Sequence, residues 1–319
     1  MRGLLLLGAA LAAFAQTDTG RILAPERALH VVAFGDFGTG DRHQADIAKA
    51  IERRHAQERF DFGITLGDNF YRCGVRSVTD SKWASRWENP YTPLGIPFYA
   101  TLGNHDYGHP VGICPEHRGS PAAEVAYTQK SRSWRMPARD YTYTAGPARF
   151  FAIDTEGWSD AQFEWLEAAL QKAANEPGIR WRIVYGHHPV LSSGHHANER
   201  RSGVLRRQLG PLFQAAKVDL YICGHDHSLE RLSWNGVDLL IDGGGGASLR
   251  FDAHPRAESL LAAVQFGFLD IKIDEQKISA QFYDLDLKPL DPHPLERRAS
   301  RVGKPAEGLF HTVARALSR

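Results

Sequence analysis

The chain has 319 residues, 43% of them hydrophobic and 24% charged, with a formal net charge of +1 at pH 7. That length and apolar content suffice for a substantial buried core, and the near-neutral balance lacks the basic footprint of a nucleic-acid-binding protein. No period of about 20–50 residues recurs, which excludes a repeat architecture.

The predicted elements begin with a leader. Met1-Arg2 precedes an apolar stretch over residues 3–14, and Ala13-Phe14-Ala15 fits a small-x-small cleavage site before Gln16. The stretch is short for a bilayer span, and no cysteine follows the cut to carry a lipid. Residues 1–15 therefore read as a cleaved signal peptide, and the mature chain is expected to be secreted or periplasmic with no stable membrane anchor.

Five apolar runs then follow, each with the look of a buried strand and each ending in a polar block. Residues 29–34 lead into Gly35-Asp36-Phe37-Gly38, and residues 62–66 into Gly67-Asp68-Asn69-Phe70-Tyr71. Residues 98–102 lead into Gly103-Asn104-His105-Asp106, residues 181–185 into Gly186-His187-His188-Pro189, and residues 218–223 into Gly224-His225-Asp226-His227. Helical patterns fall between them, at about 42–59, 81–88, 122–133, 160–176 and 202–216. The fourth is the clearest, with Ser159 as cap, Gln162 three residues on, and Phe163, Leu166, Ala169 and Leu170 at helical spacing. Strands alternating with helices imply parallel pairing, and such sheets gather ligands outside the carboxyl ends of their strands. After Gly224 the pattern turns to strands at 236–241, 262–273 and 277–283, the last two separated by Asp274-Glu275-Gln276. Residues 291–319 contain three prolines and many basic residues and read as a tail that wraps the surface or stays mobile.

Three cysteines remain. Cys223 ends an apolar run and reads as a small buried hydrophobe. Cys73 and Cys114 lie in predicted rim loops, where pairing and free thiols are both open.

A lone Gly-Asp after a strand is ordinarily a turn, and a lone Gly-His-x-His is more often a solvated loop than a metal site. Five such blocks on five strand ends are a different matter. Asp, Asn and His without cysteine suit borderline-hard cations, and Asp68 has two oxygens with which to bridge a pair. Paired metals are a recurrent device for hydrolysing phosphate esters.

The ordered blocks resemble the calcineurin-like metallophosphoesterase superfamily, and within it the purple acid phosphatases, above all the small tartrate-resistant type. The resemblance runs from about residue 29 to 283 and is most specific at Gly67-Asp68-Asn69-Phe70-Tyr71 and Gly224-His225-Asp226-His227. It implies an α/β fold, a four-layer αββα sandwich of two mixed sheets packed face to face with helices outside. The catalytic domain would span residues 28–285, with residues 286–319 as a C-terminal extension. Most of the superfamily has Asp-x-His in the first block, whereas Gly38 stands here in the histidine's place, and Tyr71 supplies the replacement ligand as in purple acid phosphatases.

The resemblance implies a first ion, Fe(III), held by Asp36, Asp68, Tyr71 and His227. A second divalent ion, Fe(II), Zn(II) or Mn(II), would be held by Asp68, Asn104, His187 and His225. A phenolate ligand at working pH needs a strong Lewis acid nearby, which favours ferric iron. His105 would contact phosphate or protonate the leaving alkoxide, and His196, with His195 as an adjacent competitor, aligns with a second active-site histidine. Asp106 is expected either to orient His105 or to stabilise a turn, and His188 to pack behind the ligands. His43, His55, His109, His117 and His254 read as solvated. Gly243 to Gly246 lacks the Lys-Ser/Thr of a P-loop and reads as a close backbone approach beneath the histidine block.

The expected activity is hydrolysis of small phosphomonoesters by attack of metal-bound hydroxide, with no nucleic-acid partner and the oligomeric state open. The rival readings are a phosphodiesterase acting on cyclic nucleotides or phospholipids, and a phosphate- or metal-binding protein without turnover.

Overall fold

The strands Leu29–Phe34 and Phe62–Leu66 are buried along their whole length, as strands covered on both faces must be. The computed structural model describes residues 16–23, 27–108, 114, 119–250, 254 and 256–299. The expected signal peptide, His109, His117 and residues 300–319 lie outside the described residues.

In chain order the strands are β1 (Thr17–Leu23), β2 (Leu29–Phe34), β3 (Phe62–Leu66), β4 (Phe98–Thr101), β5 (Trp134–Arg135), β6 (Tyr141–Ala145), β7 (Ala148–Ala152) and β8 (Trp181–Tyr185). They continue with β9 (Leu220–Cys223), β10 (Leu229–Trp234), β11 (Val237–Asp242), β12 (Ser259–Ala263), β13 (Phe268–Ile273), β14 (Lys277–Tyr283) and β15 (Leu295–Arg298). One sheet has the order β15-β14-β13-β2-β3-β4-β5 and the other β1-β6-β7-β8-β9-β11-β10-β12. β2 to β5 pair in parallel, as do β7, β8 and β9, while β13, β14 and β15 pair antiparallel at one edge.

Side-chain alternation divides the second sheet between two cores. Phe150 and Ile183 face the first sheet, where the Phe62 ring meets those of Phe150 at 5.5 Å and Tyr143 at 6.0 Å. Phe151 and Val184 point the other way and pack with Phe163 and Leu166 of the helix Asp160–Ala174 and Leu205 and Leu209 of the helix Arg200–Ala215. Ile47 and Ile51 bring the helix Arg42–Gln57 onto the first sheet. The result is the expected αββα sandwich.

Several elements differ from the sequence expectation. Residues 262–273 do not form one strand: β12 belongs to one sheet and β13 to the other. The break contains Gly267, where an added Cβ would lie 2.5 Å from the Tyr283 carbonyl oxygen. The predicted helix over 122–133 ends early as Pro121–Tyr127, because residues 134–135 join the sheet edge. Residues 81–88 form a π-helical turn, Trp83–Glu88. β1, the hairpin β6–β7 and β10 are additional. Within the segment read as a surface tail, β15 pairs with β14.

Candidate metal centre

All five polar blocks lie at carboxyl ends of strands; main-chain bonds tie neighbouring blocks within each sheet, and Gly35 N donates to Asp242 O of the other sheet at 2.9 Å. The Asp36 amide donates to Gly67 O at 3.1 Å, Gly186 N to Ile222 O at 3.1 Å, and Gly224 N to His187 O at 3.0 Å. Asp36, Asp68 and His225 take the left-handed conformation, with φ of 56°, 51° and 71°. Such strain in non-glycine residues clusters where side chains must be aimed.

The Tyr71 hydroxyl lies 2.9 Å from Asp68 Oδ2, 3.1 Å from Asp36 Oδ1 and 3.1 Å from His227 Nε2. Asp68 turns its other oxygen to the second group: Oδ1 is 3.5 Å from His187 Nε2, which lies 3.1 Å from Asn104 Oδ1 and 3.1 Å from His225 Nδ1. The seven residues implied as ligands are thus brought together in two groups that share Asp68.

The proton inventory shows that these groups fit cations. His187 Nδ1 faces Leu66 O at 2.8 Å, His227 Nδ1 faces Ser248 O at 2.6 Å, and His225 Nε2 faces Glu199 Oε2 at 2.9 Å. Carbonyl and carboxylate oxygens only accept, so each ring carries its proton on that outer nitrogen and turns a lone pair inward. Around Tyr71, one phenolic hydrogen serves three acceptors. In the other group two imidazole lone pairs confront each other at 3.1 Å beside two oxygens. Buried acceptors without donors are costly, and metal ions would complete both groups.

Electrostatics agree with the geometry. Burial alone would raise the Asp36 carboxyl, but positive charge placed beside it, at the positions of His187, His227 and His225, outweighs burial and holds its pKa well below the usual range, so the carboxylate is set to face cations. Burial and the carboxylates of Asp36 and Asp68 push the Tyr71 phenol well above its ordinary value.

Gly38 accounts for the tyrosine in physical terms. A Cβ there would sit 1.7 Å from the Asn69 carbonyl oxygen, and the Tyr71 amide donates to Gly38 O at 2.8 Å. The loop that delivers Tyr71 occupies the space a side chain at residue 38 would need. Arg86 Nη1 donates to the Gly38 carbonyl at 2.9 Å and also to that of Tyr71, tying the two loops together.

His105 and His196 both line the cleft over the site, a space of about 320 Å³ bounded also by Glu156, Arg201 and Arg250. His105 Nδ1 faces Arg72 O at 2.6 Å, its ring lies 4.3 Å from that of Tyr71, and its Nε2 is 3.9 Å from Asp68 Oδ2. His195 is exposed, whereas His196 has its ring 4.2 Å from that of His225. Asp106 does not orient His105. Its buried carboxylate accepts from the amides of Asn69, Phe70 and Gly103 at 3.1, 3.0 and 2.8 Å, which is the turn-stabilising alternative. Burial and the nearby Asp68 push the Asp106 pKa up to about 7. His188 is buried in the wall of the cleft, with Nδ1 2.9 Å from Thr155 Oγ1 and its ring 4.3 Å from that of His225.

Sequence reasoning missed Glu199, whose carboxylate reaches both His196 and His225; its position three residues after His196 was the sole available signal. Cys73 and Cys114 are joined in a disulfide with Cα atoms 5.8 Å apart, two residues beyond Tyr71, and Cys223 is free and buried.

Comparison with known proteins bears on this arrangement. The calcineurin-like phosphoesterase family profile matches residues 29–229. Purple acid phosphatase 3 of Arabidopsis thaliana is 29% identical over 299 residues, covering 83% of this chain and 78% of the plant protein. Tartrate-resistant acid phosphatase type 5 of Rattus norvegicus is 29% identical over 325 residues, covering 86% and 92%. Among solved structures, the GAP50 anchor in the inner membrane complex of Plasmodium superposes with a TM-score of 0.75 at 23% identity, covering 92% of this chain and 95% of that one. The yellow lupin (Lupinus luteus) purple acid phosphatase PPD1 gives 0.66 at 21% identity over 84% and 54%; both likenesses concern the fold. With the family profile spanning well over half of its length, the chain belongs to the calcineurin-like phosphoesterase family, and purple acid and tartrate-resistant acid phosphatases are among its relatives.

Proposed function

We propose that the chain is an exported, dinuclear metal-dependent acid phosphatase that hydrolyses small phosphomonoesters. The observation that carries this reading is the inward-facing lone-pair set, two groups of donors sharing Asp68 at the floor of an open cleft. The naming of its relatives as acid phosphatases supports the reaction class.

Asp36, Asp68, Tyr71 and His227 would hold the first ion, and Asp68, Asn104, His187 and His225 the second. Bound there, such a pair supplies a nucleophile near neutral pH and positive charge for the phosphoryl oxygens. Tyr71 supports ferric iron as the first ion. Its phenol resists ionisation, so a phenolate there needs a strong Lewis acid, and Fe(III) meets that demand better than a divalent ion. Fe(II), Zn(II) or Mn(II) suits the second group of imidazole, amide and carboxylate donors.

The remaining work falls to the chain's own cleft residues. His105 donates from Nδ1 to Arg72 O, which leaves Nε2 for the substrate; protonated, it serves the phosphoryl oxygens or the leaving oxygen. His196, with Nδ1 engaged by Glu199, offers Nε2 from the opposite wall. Residues 28–285 would form the catalytic domain, with residues 286–319 as an extension. The leader-like residues 1–15 and the Cys73–Cys114 disulfide, a pairing that persists in oxidising compartments, support a secreted or periplasmic location.

The test is turnover of p-nitrophenyl phosphate against its bis ester by the purified protein. The expected outcome is efficient hydrolysis of the monoester without any partner protein. Preference for the bis ester would favour a phosphodiesterase, and no turnover of either would contradict the enzymatic reading.

A further inference from the structure

Glu199 stands at the N-cap position of the helix Arg200–Ala215, yet its side chain makes no capping hydrogen bond. A capping side chain would accept from an amide of the first helical turn, and Ser, Thr, Asp or Asn would serve better there. The carboxylate turns to the metal centre instead. Oε2 is 2.9 Å from His225 Nε2, Oε1 meets His196 Nδ1, and the two imidazole rings lie 4.2 Å apart. One half-buried carboxylate thus bridges a histidine of the proposed ligand set and a histidine of the proposed substrate wall.

We infer that Glu199 is a positioning residue that sets the tautomers of both histidines. By accepting the Nε2 proton of His225 it turns the Nδ1 lone pair toward the second ion. By accepting the Nδ1 proton of His196 it presents Nε2 to the substrate. The inference rests on the dinuclear reading above. A carboxylate behind a ligating imidazole fixes the ring and raises its basicity, and losing such a partner typically costs about 10–100-fold in metal affinity or activity. Because Glu199 caps nothing, its replacement leaves the helix start intact, which separates this role from a folding role. The other two ligating imidazoles are backed by main-chain carbonyls, of Leu66 and Ser248, so only His225 depends on a side chain in this way.

The test compares wild type, Glu199→Ala and the isosteric Glu199→Gln, each alone and in a His196→Ala background. Metal per chain is measured after dialysis against graded chelator, alongside kcat and KM for p-nitrophenyl phosphate. Wild type should retain two ions. Glu199→Ala should release the second ion at about 10–100-fold lower chelator concentration while keeping the first, and by the same factor in the His196→Ala background. Glu199→Gln, with one acceptor oxygen for two donors, should fall between. Unchanged retention in both Glu199 variants, or equal loss of both ions, would overturn the assignment. Wild type holding fewer than two ions would instead overturn the dinuclear reading and this inference with it.

Discussion

Asp68 sits where the two donor groups meet and Asn104 completes the second, and a side chain that serves both groups has no substitute. Asp68→Ala removes an acceptor from each group, and Asn104→Ala removes one of the two oxygens that face the paired imidazoles. Each should lower turnover by about 100-fold or more, in line with the loss of a group acting directly on transition-state charge. His43→Ala, which alters a ring stacked on Phe266 at the surface, should stay within about twofold, as surface changes away from special features do. Comparable losses at all three, measured as kcat/KM, would mean that the chemistry lies elsewhere.

Among single residues, the sequence made the candidate ligands legible because each follows an apolar strand directly. Their partners were not legible. The carbonyls of Leu66 and Ser248 and the Glu199 carboxylate fix the three imidazoles, and two of those three are main-chain groups that carry no residue-type signal. Asp106 was legible as a choice between two roles, and three amide bonds decide for the turn.

At the scale of elements, the loops after β2 and β3 form a single packing unit. Gly38 and Tyr71 are joined by a main-chain bond, Arg86 clamps both carbonyls, and no room is left for a Cβ at residue 38. Gly38→Ala should therefore destabilise the protein by about 1–3 kcal/mol, the usual range for overpacking, and push the Tyr71 loop away from Asp36. The check is a denaturant midpoint together with metal content; an Ala variant that keeps both would show that the loops yield freely. The strands β2, β3 and β8 were legible from continuous apolar runs, and the helix Asp160–Ala174 from Ser159 and its heptad-like spacing. β6 was missed because threonine reads as polar in Tyr-Thr-Tyr-Thr, and β7 because Arg149 interrupts a short run, although both strands are buried on both faces. The assignment of β12 and β13 to separate sheets depends on long-range pairing that no local pattern encodes.

For the whole molecule, Asp140 links the end of β7 to the outer helical layer. It accepts from the Asp154 amide at 2.9 Å and from Gln162 Nε2 at 3.0 and 3.1 Å. Burial, with a further contribution from Asp154, pushes its pKa from 3.8 up to about 7. The folded state then holds a proton that the unfolded chain has lost. The contribution is fully present below about pH 4 and is lost as pH rises through about 7, amounting to at most about 4 kcal/mol. Relative to Asp140→Asn, wild type should lose stability as pH is raised from 4.5 to 8, read from unfolding midpoints. Parallel profiles for the two proteins would contradict the assignment. The sandwich itself was legible at this scale through the resemblance carried by the five blocks, whereas the composition alone gave only a large buried core.

The proposed binding of ferric iron by Tyr71 has an optical signature. The visible absorption spectrum of the freshly purified protein tests it most directly, with Tyr71→Phe as the comparison. A broad visible band from tyrosinate-to-iron charge transfer is expected in the wild type and should vanish in Tyr71→Phe. A colourless, iron-free and fully active wild-type protein would contradict the account.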